Sequence, residues 1–204
     1  MLTLYYAPGA CSMAAHIVLE EGGEAYEPKI VNLAQGEQKT PAYLKINPHG
    51  RVPALVLGDG ETLSENTAIL PYLGQRFGLW PSDDKGKRQA LSTVGFFASS
   101  VHAAHAHVGR PERYAADKAA QEDVKAMGLK SFHGYLKEID GSLAGREWLG
   151  DKYSVVDPYA LVFYAWGIRR ELPMGELKHY TAFRDRMLKR PVVKRVIEGE
   201  KVKI

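Results

Sequence analysis

The chain has 204 residues, 45% hydrophobic and 25% charged, which is ordinary for a soluble globular protein of one large or two small domains. Its net charge is only +3, and the basic stretch 178–203 alternates with apolar residues at helical spacing, so a solvated helix face is expected there and nucleic acid is not expected as a partner. A single cysteine excludes an internal disulfide, no apolar run reaches the ~18 residues of a membrane span, and no signal peptide is visible, so a cytoplasmic protein without membrane contact is expected.

The first half mixes two periodicities. Residues 2–6 (Leu-Thr-Leu-Tyr-Tyr) read as a strand, and the Pro8-Gly9 turn leads to Cys11. Ser12 to Glu21 reads as a helix stopped by Gly22-Gly23, and residues 26–32 as a second strand. A polar connection over 34–39 precedes a short helix at 41–46. Residues 52–57 give a third strand, Gly58-Asp59-Gly60 a hairpin turn, and 61–63 its partner. A helix over 64–77 carries Ala68, Ile69, Tyr72 and Leu73 on one side. The second half shows no strand pattern. After a linker at 78–84, helices are expected over 85–108, 117–143, from Ser154 past Trp166, 180–189 and 192–200. A small α/β domain over 1–79 followed by an all-helical domain over 86–204 is the economical reading.

Cys11 carries the chemical interest. Taken alone, a free cysteine is usually a small buried hydrophobe. At a strand-to-helix junction, however, unpaired amides and the positive end of the helix dipole favour an anion, and a thiol there tends to be acidified. The same place suits the thiolate of a small ligand. His102, His105 and His107 crowd one predicted helix. About 100° per residue turns His107 about 140° from His102, so the three do not converge and no metal is expected. At 64–66 the local reading is capping, with Ser64 as N-cap and acidic Glu65 in the first turn. Ser154 to Asp157 is a capping box with a folding role.

The β-α-β-α-β-β-α order with a thiol at its first junction resembles the thioredoxin fold. Ala14 stands where redox members carry their second cysteine, which excludes an intramolecular dithiol cycle. Three further segments resemble those of cytosolic glutathione transferases: 47–55 (Asn-Pro-His-Gly-Arg-Val-Pro-Ala-Leu), 63–69 (Leu-Ser-Glu-Asn-Thr-Ala-Ile) and the Ser154–Asp157 box. The opening 5–12 (Tyr-Tyr-Ala-Pro-Gly-Ala-Cys-Ser) is close to the bacterial beta class.

That resemblance implies an α/β thioredoxin-like N-terminal domain and an all-α C-terminal domain, with glutathione as co-substrate. It implies a cis peptide before Pro53 that presents the backbone of Val52 to the cysteinyl part of glutathione. The residues alone equally admit a trans proline at an edge strand. Glu65 and Asn66 would receive the γ-glutamyl end, although the family usually has Ser at the position of Asn66. Cys11, Ser12 and His102 would serve the sulfur. Gln35 occupies the place of a family lysine, with Lys39 further along, and Ala103 replaces a lysine after His102. Phe96, Phe97 and Tyr164 are candidate lining for a small hydrophobic electrophile, or else core. Tyr5 and Tyr6 are read mostly as packing, with one hydroxyl within reach of the site. The resemblance further implies a homodimer and a detoxifying transferase. Three functions stay open: conjugation of glutathione, thiol–disulfide reduction with Cys11 as a monothiol, and a non-catalytic binding or interaction protein on the same fold.

Overall fold

The computed structural model describes residues 1–204, and four strands come first in the chain. β1 (Leu2–Tyr6), β2 (Tyr26–Ile30), β3 (Ala54–Val56) and β4 (Thr62–Ser64) form one sheet in the order β2-β1-β3-β4. β1 and β2 are parallel, with Leu2 opposite Tyr26, and are joined across helix α1 (Ser12–Gly22). β3 pairs antiparallel with both β1 and β4. The polar 34–39 connection folds into a single tight turn at Glu37–Lys39, and α2 (Pro41–Leu44) follows, capped by the Thr40 hydroxyl. α3 (Asn66–Arg76) completes this half. The thioredoxin-like expectation therefore holds, with β1 as expected, β2 and β3 shorter than their hydrophobic runs, and β4 one residue later.

The second half is helical throughout. α4 (Asp84–Phe96) starts at the Asp83 cap, whose carboxylate accepts the Gly86 N–H at 2.8 Å. It continues through a wider, π-type turn at Phe97–Val101 into α5 (His102–Gly109). Such turns occur chiefly as local insertions, frequently at functional sites. α6 (Lys118–Ser142), α7 (Val156–Arg169), α8 (Lys178–Leu188) and α9 (Pro191–Gly199) follow. No helix is long and apolar enough to cross a membrane.

Helix α7 is buried on every side from Val156 to Gly167, as expected of a helix that is apolar all round. It packs against α1, so one continuous core runs from Leu4 and Leu55 of the sheet, through Ile17 of α1, to Phe163 of α7 and Phe183 of α8. Each of these is essentially inaccessible to water, and removing one such side chain from water contributes about 1.5–3 kcal/mol. α1 is thereby held on both faces, which fixes where its N-terminal end points.

The Ser154–Asp157 box forms as a folding device. Asp157 is fully buried and accepts from the Ser154 N–H at 2.8 Å and the Leu149 N–H at 3.0 Å. Burial pushes its carboxyl up to about 7 against those two donors. Replacing it leaves the buried Ser154 amide and the half-buried Leu149 amide unpaired, a fully buried one costing about 1–3 kcal/mol and the other somewhat less. Asp157→Ala is expected to lower stability by about 2–5 kcal/mol, seen as a lower urea midpoint with an unchanged slope. A midpoint equal to that of the parent protein would contradict the capping role.

Candidate functional site

A cleft of about 410 Å³ opens between the sheet end of the first half and the α4–α5 wall of the second. Cys11, Val52, Pro53, Glu65, Asn66 and His102 all line it. Six of the eight residues singled out in the sequence thus meet at one place. Gln35 and Ser12 do not line it, and each has a physical reason.

Gln35 is exposed, and its amide N–H is tied to Asn32 Oδ1 at 3.2 Å on the outer side of the connection. One tight turn later, Gln38 lines the cleft instead, with its Oε1 buried and without a partner. The expectation erred by three residues because the Glu37–Lys39 turn rotates the chain there, and nothing in a polar run marks such a turn. Lys39 is exposed as well.

Ser12 is wholly buried, and its hydroxyl is used up locally. It donates to Ala7 O at 3.2 Å and accepts from the Ala7 N–H at 3.1 Å. Ser12 therefore has no hydroxyl proton left for a ligand sulfur, and its side chain braces the turn before α1.

The start of α1 has the open amides that the sequence suggested. The N–H groups of Met13 and Ala14 bond to Ala10 O and Cys11 O, while those of Cys11 and Ser12 make no backbone bond. Both act to favour the anion of a nearby sulfur. The expected acidification of Cys11 itself is nevertheless overturned. Its side chain is only 9% exposed and donates to Val52 O at 3.3 Å. Burial, followed by the charge of Glu65, pushes the thiol up to about 12. Desolvation outweighs the amides, and Cys11 stays protonated at neutral pH.

The turn before Cys11 is clamped by the second half of the chain. Gly9 donates its N–H to Glu200 Oε2 at 2.8 Å, and its C=O accepts from Trp166 Nε1 at 3.0 Å and an Arg169 amino group at 3.1 Å. Gly9 has φ +65°, and a Cβ there would lie 2.5 Å from the Arg169 side chain, so only glycine fits. Glu200 also accepts from His16 Nδ1 at 2.7 Å.

On the sheet side, Val52 precedes a cis peptide to Pro53, and its N–H makes no backbone bond. Glu65 has φ 67° and ψ 134°, a backbone state that non-glycine residues rarely adopt and that clusters at ligand sites. Ser64 sits in β4, and neither it nor Glu65 caps α3 with its side chain. The Ala68 and Ile69 amides close onto Glu65 O, which leaves those of Asn66 and Thr67 open. The Asn66 side chain faces inward, with Nδ2 donating to Cys11 O at 3.0 Å and Oδ1 buried without a partner. Of Asn66, the backbone and not the side-chain amide is available to a ligand.

His102 follows directly on the wide turn of the helix. Its Nδ1 lies 3.3 Å from the Tyr159 hydroxyl. Burial, then the positive charges of Arg110 and Arg51, lowers its pKa to about 4, so the ring is neutral. Burial likewise raises the Tyr159 phenol well above its ordinary value, so that hydroxyl keeps its proton. Tyr159 is therefore the donor to Nδ1, which places the ring's one N–H proton on Nε2. His105 stacks on Trp166 at 4.0 Å and accepts from Arg170, and His107 meets Tyr114 edge-on.

Of the two readings of Phe96, Phe97 and Tyr164, lining or core, the structure takes core packing. Phe97 and Tyr164 are buried in the helical core, and Phe96 packs on Tyr135. Tyr5 packs on Tyr43, and Tyr6 on His16. The α4–α5 wall instead presents Ala98, Ala103, Ala106 and Gly109, with Trp166 and Tyr114 beside it. Arg110 and Arg113, which the sequence reading passed over, supply positive charge close to the place where Ala103 removed it.

The protonation of Cys11 has a direct consequence. At pH 8 its alkylation by iodoacetamide in the native protein is expected to run at least about a hundredfold below that of free cysteine, because thiolate is the reacting species. Unfolding in urea should restore the ordinary rate. Rapid alkylation of the native protein would contradict the assigned state of the thiol.

Comparison with known proteins gives a consistent result. Residues 1–75 match the glutathione S-transferase N-terminal domain. The chain is 30% identical to glutathione S-transferase GstA of Escherichia coli O157:H7, over 99% of this chain and 100% of that protein. Among solved structures, a glutathione transferase homologue from Sulfitobacter with bound glutathione superposes with a TM-score of 0.92 at 34% identity, covering 98% of each chain. A bacterial beta-class glutathione S-transferase from Sphingomonas chungbukensis superposes with a TM-score of 0.85 at 31% identity, covering 97% of this chain and 98% of that one. With the architecture, the cleft and full-length likeness in agreement, the chain belongs to the glutathione S-transferase family and is similar to its bacterial beta class.

Proposed function

We propose that this glutathione transferase lays glutathione along the sheet side of the cleft and ionises its sulfur at the start of α1. The observation that carries the reading is the meeting of two helix starts with unpaired amides, at Cys11 and at Asn66, in one cleft with Val52. The γ-glutamyl carboxylate goes to the open amides of Asn66 and Thr67, and its ammonium to Glu65. The cysteinyl backbone pairs with Val52 N–H and C=O, since the carbonyl that takes the Cys11 proton keeps a second lone pair. Gln38 is the contact from the β2–α2 connection.

Free glutathione is mostly a thiol at neutral pH, its sulfur having a pKa near ~8.5. The Cys11 and Ser12 amides and the α1 dipole favour the thiolate, and the Nε2–H of His102 adds a donor. Cys11 shapes this place as a neutral thiol. The thiolate then attacks a small electrophile held against the α4–α5 wall: the sulfur lone pair forms the new bond, the leaving group departs with its electron pair, and the thiol proton passes to solvent. A buried protonated Cys11 speaks against thiol–disulfide reduction as the main activity, because the attacking species in that chemistry is a thiolate. The family resemblance supports a cytoplasmic homodimer with a detoxifying role.

With glutathione and chlorodinitrobenzene, Cys11→Ala is expected to keep kcat/KM within about threefold, whereas His102→Phe lowers kcat by about tenfold or more through loss of one donor to the developing charge. If Cys11→Ala abolishes turnover while glutathione still binds, sulfur activation belongs to Cys11 and the mechanism above is wrong. Because the His102 pKa is depressed, its ring is neutral throughout pH 5.5–8. The pH–rate profile should therefore show the ionisation of bound glutathione and no step at the ordinary histidine value of ~6.5. A step there that vanishes in His102→Phe would contradict the assignment.

A further inference from the structure

The charges lining the cleft do not balance. Five arginines and one carboxylate face it, which leaves four positive charges. Glutathione bound as the thiolate brings two carboxylates, a sulfur anion and an ammonium, and so offsets two. Two positive charges remain for whatever else the cleft takes.

The arginines are not equivalent. Arg51 sits 3.9 Å from Glu65, Arg169 is bonded to Gly9 O, and Arg170 to His105 Nε2. Arg110 and Arg113 have no ion-pair partner and donate no side-chain hydrogen bond. They lie one tight turn apart, at the end of α5 and in the Pro111–Arg113 turn, on the helical wall where the electrophile is placed. Partial burial, then the charges of Arg110 and Arg51, disfavour the charged Arg113 guanidinium, with Glu112 opposing them, and a bound anion relieves the repulsion. Beside them the wall is small at Ala103, Ala106 and Gly109, with the exposed Tyr114 ring next to it, which leaves room for a planar apolar body.

We propose that Arg110 and Arg113 select an electrophile that carries a carboxylate, its planar apolar part lying on the small-residue face of α5. This rests on the transferase reading of the cleft and adds the chemical class of the second substrate. Two forked guanidinium groups suit the paired oxygens of a carboxylate better than point charges would. Both are exposed in the open cleft and gain in strength as the ligand displaces water from them.

The test compares chlorodinitrobenzoate, its carboxylate para to the chlorine, with its own methyl ester. In each, the glutathione sulfur forms the C–S bond and chloride leaves with the C–Cl electron pair. Each kcat/KM is divided by the rate of that compound with glutathione in buffer, so ring activation cancels. The full-length protein is expected to prefer the acid by about tenfold, the least that one charge-assisted hydrogen bond contributes. That preference should shrink toward one between about 20 mM and 500 mM salt, as the guanidinium charges are screened. Arg110→Gln and Arg113→Gln should each lower the acid-to-ester ratio, and Arg113→Lys should keep part of it. A charge serving only the sulfur would lower both rates together and leave the ratio unmoved. Turnover of the ester with no preference for the acid, or a ratio unchanged in both glutamine variants, overturns the proposal and leaves the transferase standing. No turnover of either compound overturns both.

Discussion

The site depends on how one glycine is held. Both peptide groups of Gly9 are bound by the C-terminal half: its N–H by Glu200, its C=O by Trp166 and Arg169. The turn so fixed delivers the chain into α1, and Ser12 braces it from behind through Ala7. A strand-to-helix junction in a small α/β domain could sway on its own. Here the last turn of α9 and the end of α7 both grip it, so the open amides of Cys11 and Ser12 keep one orientation toward the cleft. Preorganised donors of this kind cost little reorganisation when charge develops, which is where their catalytic value lies.

A helix start favours a negative charge, but which sulfur carries it depends on solvation. Cys11 sits where open amides and the α1 dipole favour an anion and is nevertheless protonated, because burial costs its thiolate more than two amides return. In the proposed mechanism a glutathione sulfur entering the open cleft meets the same amides with less desolvation and with His102 as a further donor. Tyr159 takes part at one remove: it fixes the neutral His102 ring by donating a hydrogen bond to Nδ1, and it belongs to α7, the helix on which both halves of the core pack. The sulfur site is thus set by helix packing across the domain boundary as much as by the residues that touch it.

Much of this was legible in the sequence, and the gaps have physical causes. Strand alternation, the glycine stops and the Ser154–Asp157 box are local signals, and the elements they predicted formed, whereas the Asp83 cap lay inside what reads as a linker. The segments around Val52 and Glu65 carried enough pattern to reveal their place. What failed depended on three-dimensional surroundings. The Cys11 thiol was read from its helix start alone, while its state follows from burial that a sequence does not display. Ser12 could not reveal that its hydroxyl closes on Ala7. Gln35 and Gln38 differ only by a tight turn inside a polar run. Phe97 and Tyr164 obey the same spacing whether they face a cleft or a core. The charge of the cleft was hidden for a similar reason, because Arg51, Arg110 and Arg170 are far apart in the chain.

The central claim is that the amide-rich start of α1 ionises the sulfur of bound glutathione and leaves Cys11 neutral. The most direct measurement is an ultraviolet difference titration of the thiolate band for glutathione bound to Cys11→Ala, which has no thiol of its own. The account predicts that the bound sulfur ionises at least about one pH unit below free glutathione, a difference of roughly 1.4 kcal/mol in favour of the anion. A titration curve that coincides with that of glutathione in buffer would contradict it.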